Sequence, residues 1–247
     1  MPWFIDAWID ILSGGTLTID PNVTVIPASF HVYPGASLIV KPGATLKFRD
    51  GNFLLVRGKL DAAGTSTSPV RFTTNRVTPA RGAWTGIEFS AGSDPTSKFT
   101  YVEVSYARHG VKIDNCTMGL DRVSLFENSG HGLYTTGTAV VTITSSTIRD
   151  NSAYGIEHLG AQATVTGTTL RDNDGGAIYA ELGNVLLGLT GNSATNNAGW
   201  KNDIEYFGGR GLLSADMTLL RSQNLPWRFT GGITVPVAGR SPLPPVP

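Results

Sequence analysis

Short runs in which apolar and polar residues alternate recur along most of the chain. They include "TLTI" at Thr16, "SLIV" at Ser37, "VKI" at Val111, "VTITS" at Val141, "ATVTG" at Ala163 and "AIYAE" at Ala177. A period of two predicts strands with one face buried. Each run spans only about three to five residues, too few for a strand to stand alone. Turn chemistry separates the runs, as in Asp20-Pro21-Asn22 and Lys41-Pro42-Gly43. No stretch carries the 3.6-residue apolar spacing of a helix, so the pattern predicts an all-β chain of very short strands.

Strands this short must stack on copies of themselves, and the sequence repeats accordingly. "SLFENSGHGLY" (Ser124 to Tyr134), "STIRDNSAYGIE" (Ser146 to Glu157) and "TTLRDNDGGAIY" (Thr168 to Tyr179) align, placing Asn128, Asn151 and Asn173 at 23- and 22-residue intervals. Asn197 continues the series, and Gly110 precedes Gly132 by one period in a shortened turn. In the first third, "GGTLTIDPNVTVI" (Gly14 to Ile26) matches "GASLIVKPGATLKF" (Gly35 to Phe48), with Pro21 and Pro42 in the same slot. Leucine-rich repeats share this period, but their Leu-x-x-Leu-x-Leu pattern is absent, and helical repeats need 33 residues or more. A period near 22 fits one coil of a right-handed parallel β-helix with three short sheets. The expected solenoid has roughly nine or ten coils of about 22 residues, about 4.8 Å apart, and is roughly 45 Å long.

In such a stack the repeated asparagines fall at one corner of every coil. Their amides are suited to a ladder that satisfies turn backbone from coil to coil, with Asn128, Asn151, Asn173 and Asn197 as its members. The residues before them, Glu127, Asp150 and Asp172, together with Arg149 and Arg171, are then outward turn residues.

These stretches, with "GKLDAAGTSTSPVRFTTN" (Gly58 to Asn75) and "RGAWTGIEF" (Arg81 to Phe89), resemble bacterial secreted right-handed parallel β-helix repeat proteins of the pectin-lyase-like superfold. The resemblance covers about residues 2 to 210. It specifies the fold well and the function poorly, because that fold hosts lyases, hydrolases, epimerases, adhesins and passive surface modules. It implies a secreted or cell-surface protein. A further internal match sets Pro2-Trp3 against Pro226-Trp227. In the resembling family such a phrase opens a new module, whereas here "RSPLPPVP" follows, which cannot continue a ladder. The expected organisation is a β-helix over 1–224 with an N-terminal capping or lead-in segment, Trp3 and Trp8 covering its open end. Residues 225–247 then form an extended Pro-rich tail or the start of a further module in a tandem array.

Composition narrows the function classes. The 247 residues include 30 glycines, 19 basic and 19 acidic side chains, and a hydrophobic fraction of 40%. A net charge of zero without any Lys/Arg run excludes the electrostatic footprint of a nucleic-acid binder. The apolar runs are too short for membrane insertion. The single cysteine, Cys116, offers neither an internal disulfide nor a cysteine metal site and reads as a small apolar residue. The opening "MPWFIDAWIDIL" lacks a basic region and carries Asp6 and Asp10 inside its apolar stretch, so it is not a signal peptide.

Candidate chemistry lies on columns. His109, His131 and Tyr154 share the column before the turn glycines, with Arg108 and Arg149 beside it and Glu157-His158 nearby. A His/Tyr/Arg patch suits a polysaccharide lyase: arginine neutralises a uronate carboxylate while His or Tyr moves protons. Gly130-His131-Gly132 superficially matches polygalacturonase-type hydrolases, but the paired carboxylates of inverting hydrolysis are missing. The column Glu127, Asp150 and Asp172 offers oxygens for calcium, without the consecutive acidic cluster that a compact site requires. Thr-x-Thr runs occur in different coils and set up no regular array. The expected function is a non-catalytic extracellular structural or adhesive module, contacting a polysaccharide or cell-surface glycan and needing no cofactor. The enzymatic alternative is a polysaccharide lyase or hydrolase acting on an acidic polysaccharide along the outer face.

Overall fold

The computed structural model describes residues 1–181, 185–187, 189–198, 202–207, 211–212, 225–230 and 233–234. Three long sheets of nine, ten and eight strands run side by side, and the chain visits them in turn. Every pairing between them is parallel, from Trp3 opposite Val25 to Ile204 opposite Trp227. The result is an all-β solenoid of about 8 coils with about 23 residues per turn. Only the second sheet reaches ten rungs. Its last is Trp227–Thr230, just past residue 224, paired on Ile204–Phe207.

Register explains why the alternation is so regular. On the second sheet Leu54, Ile87, Val111, Leu133, Ile156, Ile178 and Ile204 stand directly over one another. All seven are essentially inaccessible. Burying one such side chain contributes about 1.5–3 kcal/mol, so a continuous aliphatic column compensates for strands too short to be stable singly. Trp84 belongs to this core rather than to a lateral loop: its ring stacks on Phe48 at 4.4 Å and 5°, and its Nε1 donates to the carbonyl of Ser105 at 2.8 Å.

The corner between the first and second sheets has a fixed chemistry. Glu127, Asp150 and Asp172 each adopt φ 56°, and Asn196 adopts φ 54°. This left-handed step ends the first-sheet strand and swings the next residue inward. Asn128, Asn151, Asn173 and Asn197 occupy that inward position, all buried. Each donates Nδ2 to the Oδ1 of its successor, at 2.8 Å from Asn128 to Asn151 and 2.9 Å from Asn151 to Asn173 and from Asn173 to Asn197. Ala107 N–H closes the row at one end and Asn202 Oδ1 at the other.

One coil breaks the period. Asp61 sits under Lys98, 37 positions on, because the segments 75–85 and 90–97 bulge outward. Arg81, on the first bulge, reaches back along the corner to Glu127 at 2.7 Å and to Asp174 at 3.3 Å.

At the N-terminal end the indoles of Trp3 and Trp8 are 69% and 65% exposed. Trp8 does not cover the open coil; it packs edge-on against His31 and Phe53 on the outer face of the second sheet. Cys116 packs half-buried against the core, and burial pushes its thiol pKa up. Trp200 and residues 235–247 lie outside the described residues.

Candidate functional site on the outer face of the second sheet

Stacking converts alternate strand positions into straight rows on the outside of the second sheet. One row reads His31, Leu55, Glu88, Lys112, Tyr134, Glu157, Tyr179 and Glu205. Beside it, at the turn that enters the sheet, His109, His131 and Tyr154 succeed one another from coil to coil.

The rings of these residues form a continuous stack. His109 and His131 lie 5.3 Å apart and nearly parallel, at 3°. Tyr134 lies 5.1 Å from His109 and 5.5 Å from His131. Tyr154 follows at 6.2 Å from His131 and hydrogen-bonds Glu205 Oε2 at 2.9 Å.

The two histidines differ chemically. The backbone N–H of His131 donates to His109 Nδ1 at 3.3 Å, which leaves the His109 proton on Nε2. Burial, reinforced by His131 and Arg108, lowers the His109 pKa to about 4, so this ring is neutral at physiological pH. His131 Nε2 lies 2.6 Å from Glu157 Oε2, while its Nδ1 is buried without a hydrogen-bond partner. His158, one residue past Glu157, points the other way: it is inside the solenoid, bonded through Nδ1 to Thr135 Oγ1 at 2.7 Å. Burial lowers its pKa to about 4 as well.

A cleft of about 420 Å³ opens beside this stack. Phe53, Leu55 and Ile87 give it an apolar floor, and His109 and Tyr134 form a wall. Arg57, Arg108, Lys112 and Glu88 bring charge to it. Lys112 is held by Glu88 at 3.1 Å. Among the described residues no carboxylate lies within ion-pair distance of Arg57 or Arg108. The cleft therefore presents two uncommitted guanidinium groups above hydrocarbon.

The structure brings Arg108, His109, His131 and Tyr154 into one patch. Arg149 stands apart on the first sheet, with its guanidinium 4.3 Å over the Phe126 ring and ion-paired to Asp150. The column Glu127, Asp150 and Asp172 faces arginines: Arg81, Arg149 and Arg171 respectively. No group of three or more His, Cys, Asp or Glu side chains among the described residues is placed to hold a metal ion. Arg57, Lys112, Tyr134 and Glu157 enter the site without having been singled out in the sequence. Their signal was the outward position on each second-sheet strand, which becomes visible only once the coils are in register.

A family model described as "right handed beta helix region" matches residues 85–216, just over half of the chain. The chain belongs to this right-handed β-helix family. Part of this β-helix protein is similar to protein bark beetle of Drosophila melanogaster, 35% identical over 69 residues. That match takes in 28% of this chain and 2% of that relative, so the chain spans only a small fraction of its length. Among solved structures, the periplasmic alginate epimerase AlgG is 10% identical with a TM-score of 0.26, covering 91% of this chain and 84% of that one. A mutant of the same enzyme gives 11% identity and a TM-score of 0.27, covering 90% and 84%.

Proposed function

We propose that this β-helix protein is a non-catalytic binding module of the extracellular space or cell surface, which contacts an acidic carbohydrate along the outer face of its second sheet. The observation that carries this reading is the cleft with Arg57 and Arg108 unpaired above Phe53, Leu55 and Ile87. A sugar ring has an apolar face that packs on such a floor, and a uronate carboxylate matches a guanidinium fork. The stacked rings of His109, His131, Tyr134 and Tyr154 extend the contact surface along the solenoid axis. Of the cleft's lining residues only Glu88 carries a carboxylate, and Lys112 holds it, which leaves no acid–base couple of the kind glycoside hydrolysis uses.

Calorimetric titration with oligouronates and with neutral oligosaccharides of equal length tests the reading. Oligouronates should bind, more weakly as salt rises, and the double variant Arg57→Ala/Arg108→Ala should lose at least about tenfold in affinity, or ~1.4 kcal/mol. Equal binding of neutral and acidic oligomers, or binding indifferent to the double variant, would refute it.

A second reading, a polysaccharide lyase, is favoured by one contact. Glu157 at 2.6 Å from His131 makes an oriented proton-transfer pair next to a neutral His109. Release of unsaturated products from alginate or pectate, abolished in His131→Ala, would establish catalysis in place of passive binding.

A further inference from the structure

The first coils of the second sheet carry an apolar surface that neither the aliphatic core nor the cleft accounts for. The strand Phe53–Val56 reads Phe-Leu-Leu-Val, so its outward positions, Phe53 and Leu55, are as apolar as its inward ones. Farther along the same face the outward positions are Lys112, Tyr134 and Glu157. Trp8, largely exposed, lies 5.7 Å from His31 and 6.3 Å from Phe53, both edge-on. Tyr33 meets His31 edge-on at 6.0 Å. These rings form a shelf with a hollow of about 170 Å³ between Tyr33, Leu55 and Arg57. The larger cleft begins on the other side of Leu55 and Arg57. Two adjoining depressions separated by a side-chain wall, lined by aromatic rings, are the surface a polyproline II ligand requires.

The chain itself contains such a ligand. Arg240 to Pro247 reads Arg-Ser-Pro-Leu-Pro-Pro-Val-Pro, with two overlapping Pro-x-x-Pro frames, Pro242 to Pro245 and Pro244 to Pro247. Half of its positions lack an N–H, so it cannot extend a β-ladder. Its composition favours a polyproline II helix, which repeats every three residues, about 9 Å, and loses little entropy when bound. Its only charge is Arg240, and the shelf offers Asp10, half exposed beside His31. Arg57 lies at the opposite end, so the charges define one direction of docking.

Reach decides whose shelf it meets. Arg240 follows Thr234 by six positions, a span of about 20 Å at full extension. The second sheet has ten strands from Ile9–Ile11 to Trp227–Thr230, which separates those ends by roughly 43 Å at about 4.8 Å per step. The segment cannot reach the shelf of its own chain. We propose that the aromatic shelf formed by Trp8, His31, Tyr33 and Phe53 takes the proline-rich segment Arg240 to Pro247 of a second copy of this chain. The contact is head-to-tail and heterologous, so it builds open chains of molecules rather than closed dimers.

The experiment is sedimentation of the full chain over a concentration series, paired with anisotropy titration of a labelled peptide of residues 239 to 247. The expected result is weak, concentration-dependent association, with the peptide both binding the full chain and dissociating its oligomers. Trp8→Ala on the shelf and Pro244→Gly/Pro245→Gly on the segment should each weaken self-association at least about tenfold, and peptide affinity should fall only for Trp8→Ala. Both substitutions lie outside the core, and unchanged thermal unfolding confirms that the solenoid is intact. A strictly monomeric full chain, or association indifferent to both variants, would overturn the proposal. So would an oligosaccharide that binds the shelf while the peptide does not. The proposed carbohydrate function fails on a different result, the loss of saccharide binding itself, so the two stand or fall separately.

Discussion

Asn151 donates its side-chain N–H to the Oδ1 of Asn173 at 2.9 Å and accepts the corresponding bond from Asn128 at 2.8 Å. The same Oδ1 of Asn151 also receives the backbone N–H of Asn128, and its Nδ2 also reaches the carbonyl of Leu125. One carboxamide thus satisfies polar groups on three successive coils at a corner that water does not reach. A buried amide or carbonyl left unpaired costs about 1–3 kcal/mol. Asn151→Ala should therefore lower unfolding stability by about 2–4 kcal/mol, measured by denaturant titration. Asn151→Asp should also destabilise at neutral pH, because the carboxylate has no N–H to give to Asn173. A loss under 1 kcal/mol for Asn151→Ala would mean that water or a shifted corner replaces the ladder.

Acid should weaken the protein through its buried imidazoles. His158 has a folded pKa of about 4 against 6.5 for a free imidazole. Between these values the unfolded chain holds a proton that the folded chain refuses. This contribution is therefore complete above pH 6.5 and is lost as pH falls toward 4, on the order of 3 kcal/mol in total. His109 acts in the same direction with a smaller effect, being nearer to solvent. Replacing the buried polar pair with apolar groups, as Thr135→Val/His158→Leu, should flatten most of that decline in denaturant midpoints measured between pH 7 and 4.5. A slope equal to wild type would assign the acid sensitivity elsewhere.

The solenoid was readable because its period is written by residues that have few substitutes. An inward carboxamide after a left-handed step recurs as Glu127-Asn128, Asp150-Asn151 and Asp172-Asn173, and the spacing gives the coil directly. The irregular coil between Asp61 and Lys98 was not readable, since its bulges follow no repeat. Side-chain direction failed at single positions for the same reason. Glu157 and His158 are neighbours in sequence but face opposite sides of the strand. Arg149 was grouped with the histidines, yet its strand belongs to another sheet. The Thr-x-Thr runs looked scattered, although Thr142 and Thr144 stand directly opposite Thr164 and Thr166. Periodicity identifies the coil, but the register between coils decides which side chains share a surface. The cleft of Arg57, Lys112 and Tyr134 exists only at that second level.

Trp84 tests how far the core depends on one large side chain. It is fully buried, stacked on Phe48, and its Nε1 satisfies the Ser105 carbonyl. Trp84→Phe keeps an aromatic ring but removes the donor and leaves a void, so a cost of about 2–4 kcal/mol is expected. Trp84→Ala should cost more, about 3–5 kcal/mol, and loosen the bulge 75–85. Unfolding midpoints, with proteolysis of that bulge as a local readout, distinguish a core role from a surface one, for which both substitutions would be nearly neutral.

The corner residues should respond to substitution in an order set by backbone rather than by charge. Asp150 holds φ 56°, a conformation that disfavours side chains in general and β-branched ones most. Its ion pair with Arg149 is near the surface and contributes only about 0–1 kcal/mol. Asp150→Gly removes the pair but relieves the strain of the left-handed step, so stability should change by less than about 1 kcal/mol. Asp150→Val loses the same pair and adds steric strain, and should cost about 1–3 kcal/mol. Measured by thermal unfolding at two salt concentrations, the gap between Gly and Val should not depend on ionic strength. Equal losses for both variants that shrink with salt would show that the charge, and not the turn, holds the corner.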